Sequence, residues 1–289
     1  MAVQATKAIF VISRYQKQFG YFTHDNAFKL FDSMIVPILT YSAEIWGYEY
    51  SSQIEKAQTT YCKRLACLHA ECGRRPLATT YITRCVKFWV KLVQMPRNRY
   101  PRQCYEMLRQ LDEGGRNTWA TNIKRLLYRY GFGIAWITQD IGNVNVFIAM
   151  FKDRLTESFN SSTMSDINTS PKALCYKLFK SALNPELYLS IALPYKFKRI
   201  LANFKCSSHL LNIEQGRHLH IDRENRVCSS YLQRHVFVTE NEIHFVIDCP
   251  LYESIRNAYL PDFVKPCDSE LVFKLIMCHT QPEKVFMLS

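Results

Sequence analysis

The chain has 289 residues, 48% of them apolar and 13% aromatic, and its 37 Lys and Arg against 25 Asp and Glu leave a formal charge of +12 at neutral pH. These figures exclude a disordered, collagen-like or low-complexity chain. At about 150 residues per domain they suggest one large or two modest domains, enough to bury a real core.

Taken from the N-terminus, the apolar run Ala8–Ile12 is shorter than the ~7–15 residues of a secretory signal. The longest charge-free stretches, 33–43 and 141–151, fall well short of the ~20 residues of a membrane helix. Eleven scattered cysteines fit reduced thiols better than a disulfide framework. The expectation is a nuclear or cytoplasmic protein that is neither secreted nor membrane-spanning.

Helical spacing of apolar residues predicts helices over 26–47, 52–70, 76–95, 101–112, 118–130, 143–158, 171–182, 194–213, 240–248, 251–259 and 269–278. Pro37 should kink or split the first of them. Ser52-Gln-Ile-Glu55 reads as a capping box opening the second, and Gly114-Gly115 and Gly131 fit helix ends. Phe88, Trp89, Leu92 and Val93 have the spacing of a buried stripe. Residues 158–170 are mostly Ser, Thr and Asn and precede Pro171, which predicts a linker between a region 1–157 and a region 171–289. Strand signals are confined to short runs such as Val236–Val238, so the predicted fold is mainly α.

The charge is uneven. Residues 84–129 carry 11 basic and 3 acidic side chains, +8 of the total +12. Arg84, Lys87, Lys91, Arg97, Arg99, Arg102, Lys124, Arg125 and Arg129 are candidate nucleic-acid contacts, interleaved with Tyr81, Trp89, Tyr100, Tyr105, Trp119, Tyr128 and Tyr130. Clustered cations release counterions when they neutralise phosphates, and exposed aromatics stack on bases. The competing interpretation is a solvated cationic face on helices whose aromatics are core.

The segment Phe31-Asp-Ser-Met-Ile-Val-Pro-Ile-Leu-Thr-Tyr-Ser-Ala-Glu-Ile-Trp-Gly47 resembles one found just after the polymerase domain in animal non-LTR (LINE-like) retrotransposon polyproteins. In the same order, Tyr61-Cys-Lys-Arg-Leu65, Glu71-Cys-Gly-Arg-Arg-Pro-Leu77, 204–217, 222–228 and Glu242-Ile-His-Phe-Val-Ile-Asp-Cys-Pro-Leu-Tyr252 resemble that family too. The resemblance covers about residues 25–260. It implies a multi-helix, thumb-like and connector region that binds RNA or an RNA/DNA primer–template, followed by a small Cys/His module at about 222–260. The family's polymerase holds metal on an adjacent Asp pair. No Asp-Asp dipeptide occurs here, so the chain is expected neither to polymerise nor to cleave.

In the family, the module has Cys-x₂-Cys followed by His-x₄-Cys, a ligand set suited to tetrahedral zinc. Cys228, His244 and Cys249 match three positions, while Tyr231 stands where the second cysteine belongs. Weak zinc binding is the expectation, with His235 or water completing the shell. The alternative is a relic in which both cysteines are small buried hydrophobes and His244 is a hydrogen-bonded core histidine. Between Leu68 and Glu71 the chain also lacks about ten residues that the family usually has. Together these departures suggest a truncated or decayed copy.

Other signals carry less. His69-Ala-Glu71 matches half of a zinc-deaminase signature, but the Pro-Cys-x₂-Cys half is missing, Pro266-Cys267 being followed by Glu270. Cys62, Cys67 and Cys72 are spaced too far apart to share a helix face, and Cys175, Cys206 and Cys278 read as core. No Gly-rich phosphate loop or nucleophile elbow is present. The expected function is noncatalytic nucleic-acid binding by the C-terminal region of a non-LTR reverse transcriptase. The alternatives are an inert helical remnant, a host-recruited helical interaction protein, or the tail of a longer polymerase.

Overall fold

The computed structural model describes residues 2–18, 23–64, 70–171, 173–191, 194–233, 235–259 and 268–278. Among them the chain is mainly helical and has no strand, only isolated bridges at Cys72↔Pro185 and Val227↔Thr239. It divides into two compact units that interleave in sequence. One comprises the described residues of 1–18, 28–61 and 75–162, the other those of 19–27, 62–74 and 163–289.

The first unit is built from α1 (Ala2–Gln18), the last residues of α2 (His24–Leu30), a π turn (Phe31–Ile35), α3 (Val36–Leu39), α4 (Ala43–Trp46), most of α5 (Ser51–Arg64), α6 (Ala78–Gln94), α7 (Tyr100–Glu113), α8 (Trp119–Arg129), α9 (Gly133–Thr138) and the larger part of α10 (Val144–Thr169). The π turn is the physical form of the kink expected at Pro37. Proline offers no N–H to the helical ladder, and the backbone widens so that Val36 N–H reaches Phe31 O. Phe31, Ile35, Leu39 and Ala43, four residues apart, are all buried, and α4 packs on α6.

Helix α6 carries the core. Tyr81, Ile82, Cys85, Val86, Trp89, Val90 and Leu92 are buried, while Phe88 and Val93 are only half-buried, so the stripe is rotated from the predicted one. Trp89 Nε1 donates to Tyr105 OH (2.9 Å), which donates to Gln139 Oε1 (2.7 Å), tying α6, α7 and the end of α9 together. The predicted capping box at Ser52 does not form. Ser52 bonds Gln53 instead, and the Glu55 carboxylate accepts from Ala78 N–H at 2.7 Å, capping α6 from α5. A bond between two helices thus replaces the local one.

The second unit contains α11 (Tyr176–Phe179), α12 (Leu187–Ser190), α13 (Tyr195–Lys205), α14 (Asn212–His218), α15 (Ser229–Leu232), a second π turn (His244–Asp248), α16 (Glu253–Tyr259) and α17 (Ser269–Cys278). Tyr176, Phe179, Phe204, Val246, Phe273 and Met277 form its core, with Ile167 packed against it. The predicted linker is therefore helix: residues 158–169 continue α10 without a break. Ser, Thr and Asn cost only about 0.5 kcal/mol each in a helix interior, and burying part of Ile167 offsets some of the sum. Val236–Val238 forms no strand, and Phe237 is 77% exposed.

Buried charge is balanced locally in this unit. Glu186 takes Lys180 Nζ at 2.6 Å and Lys205 Nζ at 2.5 Å. Burial works to raise its pKa, but the Lys205 charge and then the hydrogen bond from Lys180 outweigh it and leave the carboxyl below its usual range. Glu71 is fully buried and accepts from Tyr188 OH at 2.6 Å. Glu242 accepts from Ser207 Oγ (2.7 Å) and Cys175 Sγ (3.2 Å) and pairs with His209 Nε2 (3.1 Å).

Burial alone would raise the Glu242 pKa, yet the bonds from His209 and Ser207 hold it at about 2. A depressed folded pKa contributes stability above the unfolded value near 4.5, and that stability is lost as pH falls toward 2. Glu242→Gln should therefore be less stable than wild type at pH 7, with the difference shrinking between about pH 4.5 and 2. Urea unfolding midpoints across that window measure it; a pH-independent difference would rule the linkage out.

Candidate functional site

The three cysteine and histidine positions meet. Cys228, His244 and Cys249 are all buried, and their ligand atoms lie within 4.8 Å of one another. Each arrives by a different route. Cys228 caps the start of α15, where its N–H is held by Val238 O at 2.8 Å. His244 opens the π turn and Cys249 follows its end, joined by Cys249 N–H to His244 O at 2.8 Å. In a regular α-helix, residues five apart point about 140° away from each other. The i→i+5 closure is what lets the His-x₄-Cys spacing serve one site, and Pro250 next to it stops the helix from resuming α geometry at once.

The donor set can be tested for zinc on its own geometry. Two thiolates bound at ~2.3 Å in a tetrahedron stand about 3.8 Å apart, and Cys228 Sγ lies 3.8 Å from Cys249 Sγ. His244 Nε2 is buried and has no hydrogen-bond partner, so the expectation of a satisfied core histidine does not hold at that atom. Burial pushes the His244 pKa down, giving the neutral imidazole that ligates metals. Burial likewise pushes the Cys249 thiol up, so metal binding there would release a proton. These residues fit a zinc ion as three of its four ligands.

The fourth place is not filled as expected. His235 is exposed, in left-handed backbone at φ 57°, and does not belong to the cluster. Tyr231 is half-buried, with its ring edge-on to the His244 imidazole at 5.2 Å. The aromatic side chain thus packs beside the histidine and brings no thiol to the cluster. Elsewhere, Cys67, His69, Pro266 and Cys267 lie outside the described residues. Glu71 is tied to Tyr188, and Cys278 is exposed rather than core.

The predicted basic surface separates into parts. Arg102 is buried: it donates to Leu92 O at 3.1 Å and pairs with Glu106 at 2.5 Å, anchoring α7 to the end of α6. Sequence could not distinguish it from its neighbours, because its partner Glu106 is one helical turn away and its position on the buried face depends on where α7 begins. Lys124 pairs with Asp112 (3.0 Å), Arg125 donates to Asn117 (2.9 Å), and Arg84 donates to Thr40 O and Oγ1. Arg129 lies against the Tyr130 ring and borders a hollow of about 920 Å³ that it shares with Asp153, Arg154 and Glu157. Lys87, Lys91, Arg97 and Arg99 are exposed and make no side-chain bond among the described residues. Of the interleaved aromatics, Tyr81, Trp89, Tyr105 and Tyr130 are core, whereas Tyr100 is 83% exposed beside Arg99. Arg75 and Lys152, not singled out by the sequence, adjoin Arg84 and Lys87.

Compared with protein-family models, curated proteins and solved structures, the chain matches none. Among the described residues no helix is long and apolar enough to cross a membrane.

Because Arg102 serves the fold, Arg102→Met should cost about 2 kcal/mol of stability. The exposed Arg97→Gln and Arg99→Gln changes should alter it by less than about 0.5 kcal/mol. Thermal or urea unfolding separates the two classes, and equal effects would mean that burial does not set Arg102 apart.

Proposed function

We propose that the chain is a noncatalytic nucleic-acid-binding protein akin to the post-polymerase region of LINE-like reverse transcriptases. Its first unit acts as a thumb-like surface for RNA or an RNA/DNA duplex. Its second carries a three-ligand zinc module, and the protein works in the nucleus or cytoplasm. The observation that carries the reading is the run of exposed cations Lys87, Lys91, Arg97 and Arg99, which have no side-chain partner among the described residues and end at the exposed ring of Tyr100. Cations without internal partners retain their full charge for phosphates, and a free aromatic face offers stacking of about 1–3 kcal/mol per base. The zinc part rests on the 3.8 Å thiol pair and the unpartnered His244 Nε2.

Fluorescence anisotropy with a labelled 20-nucleotide RNA across a KCl series tests the binding. The Lys91→Gln, Arg97→Gln, Arg99→Gln variant should bind more weakly, its log-affinity against log-salt slope falling by about 0.7 for each phosphate that is no longer neutralised. An unchanged slope would reduce the run to a solvated face.

Metal content and unfolding with and without chelator test the module. The native chain should take up zinc weakly, and Tyr231→Cys, which supplies a third thiol as the fourth ligand, should bind it far more tightly. The restored variant should also gain in unfolding midpoint when zinc is present, because metal binding and folding are linked. No gain in Tyr231→Cys would refute a preserved zinc geometry.

A further inference from the structure

Sharing Lys87 with the exposed cation run, the same unit holds a basic groove whose completion by Arg75 and Lys152 the sequence does not reveal. The first turns of α6 and the early part of α10 line a groove of about 290 Å³. Arg75, Arg84, Lys87 and Lys152 border it, and no carboxylate does. Arg75 stands just ahead of α6, Arg84 and Lys87 are one turn apart on that helix, and Lys152 comes from α10, so chain segments about 70 residues apart contribute.

The polar groups of the groove are unevenly committed. Arg84 uses Nη1 to hold Thr40, while its Nε and Nη2 donate to no described atom. Arg75, Lys87 and Lys152 form no ion pair among the described residues. Thr79 and Thr83 spend their hydroxyls on backbone carbonyls, at 2.8 and 2.6 Å. Thr80 and Thr156, also lining the groove, donate to no described acceptor. Four cations and two uncommitted hydroxyls therefore border one concavity with no anion of the protein among them. Like charges gathered this way repel, and an anion placed between them relieves the repulsion while accepting the hydroxyl protons. Arginine forks and hydroxyls are the groups that position phosphate oxygens in nucleic-acid complexes.

We propose that this groove seats consecutive phosphates of one nucleic-acid strand, with Arg75, Arg84, Lys87 and Lys152 neutralising them and Thr80 and Thr156 donating to their oxygens. It deepens the nucleic-acid reading above and rests on it. The bonds go to the strand's backbone, so the groove fixes where the strand runs without reading its sequence.

The test uses the full chain and the labelled 20-nucleotide RNA across a KCl series. Lys87→Gln with Lys152→Gln should lower affinity at least tenfold at low salt and flatten the slope by about 1.4, for two phosphates at about 0.7 each on a single strand. Thr80→Val with Thr156→Val should weaken binding several-fold and leave the slope unchanged, because hydroxyls release no counterions. Both lysines are exposed, so that variant should keep the wild-type unfolding midpoint and decides the matter even if the threonine variant folds poorly. Inorganic phosphate at millimolar levels should displace RNA no more than chloride of equal ionic strength; displacement at micromolar levels would make the groove a site for small phosphates and overturn the proposal. Should wild type fail to bind RNA, the nucleic-acid reading falls and the groove with it. If wild type binds and the lysine variant matches it in affinity and slope, the groove is refuted and the nucleic-acid reading rests on Lys91, Arg97 and Arg99.

Discussion

Burying a carboxylate is tolerable only when donors surround it, and the second unit is arranged around that demand. Glu186 draws Lys180 and Lys205 into its interior, and Lys205 Nζ also lies 4.9 Å from the Phe179 ring centre and 5.2 Å from that of Tyr188. Tyr188 in turn passes its hydroxyl to Glu71. Removing one partner from such a set leaves a charge in low dielectric with nothing to answer it, at a cost of several kcal/mol. Lys180 and Lys205 are 6 and 19 residues from Glu186, whereas Tyr188 is 117 residues from Glu71, so the network joins local turns and also specifies which distant segments meet. Glu242 does the same around Ser207, His209 and Cys175, and Arg226 fixes the turn before Cys228 by donating to Ile213 O and Ile221 O.

Many of the positions that carry the family resemblance are therefore architectural. Gly73 has φ 61°, and an added Cβ would meet Pro185 atoms at 2.6 Å. Gly216 has the Arg226 side chain where a Cβ would stand, at 2.5 Å. Glu71 and Glu242 are the buried acids themselves. Phe31, Ile35, Leu39 and Ala43 make one continuous buried edge. Residues of this kind serve packing before chemistry, and the function has to be argued from the exposed cations and the Cys/His cluster separately.

The helical class was legible because apolar spacing survives in a single sequence, whereas the meeting of Cys228, His244 and Cys249 was expected from the resemblance and not from any spacing rule. What was not legible depends on tertiary partners. Glu55 reads as half of a local capping box, yet it reaches Ala78 in the next helix because Leu77–Ala78 arrives within bonding distance. Residues 158–169 have linker composition but remain helical, with Ile167 as a packing point. Arg102 and Arg99 look alike in sequence; only the start of α7 at Tyr100 sends one inward and leaves the other in water. On a regular helix the His-x₄-Cys pair would diverge, and only the π turn, which no spacing rule announces, brings it together.

The same π turn bears on what the tyrosine at 231 means for metal. Two thiolates already neutralise a divalent ion, so a site of Cys228, Cys249 and neutral His244 needs no further negative charge and lacks only a bond. A third thiolate would make the buried site anionic and would need a cation. Arg256 is the one at hand: its Nη2 donates to Cys249 O, its charge acts to lower the pKa of both His244 and Cys249, and its Nη1 is buried without a partner. An unpartnered guanidinium N–H and an unpartnered imidazole nitrogen are both costly to bury. Tyr231, edge-on to the His244 ring, brings no thiol to this cluster, which holds three of the four donors that a tetrahedral zinc ion takes.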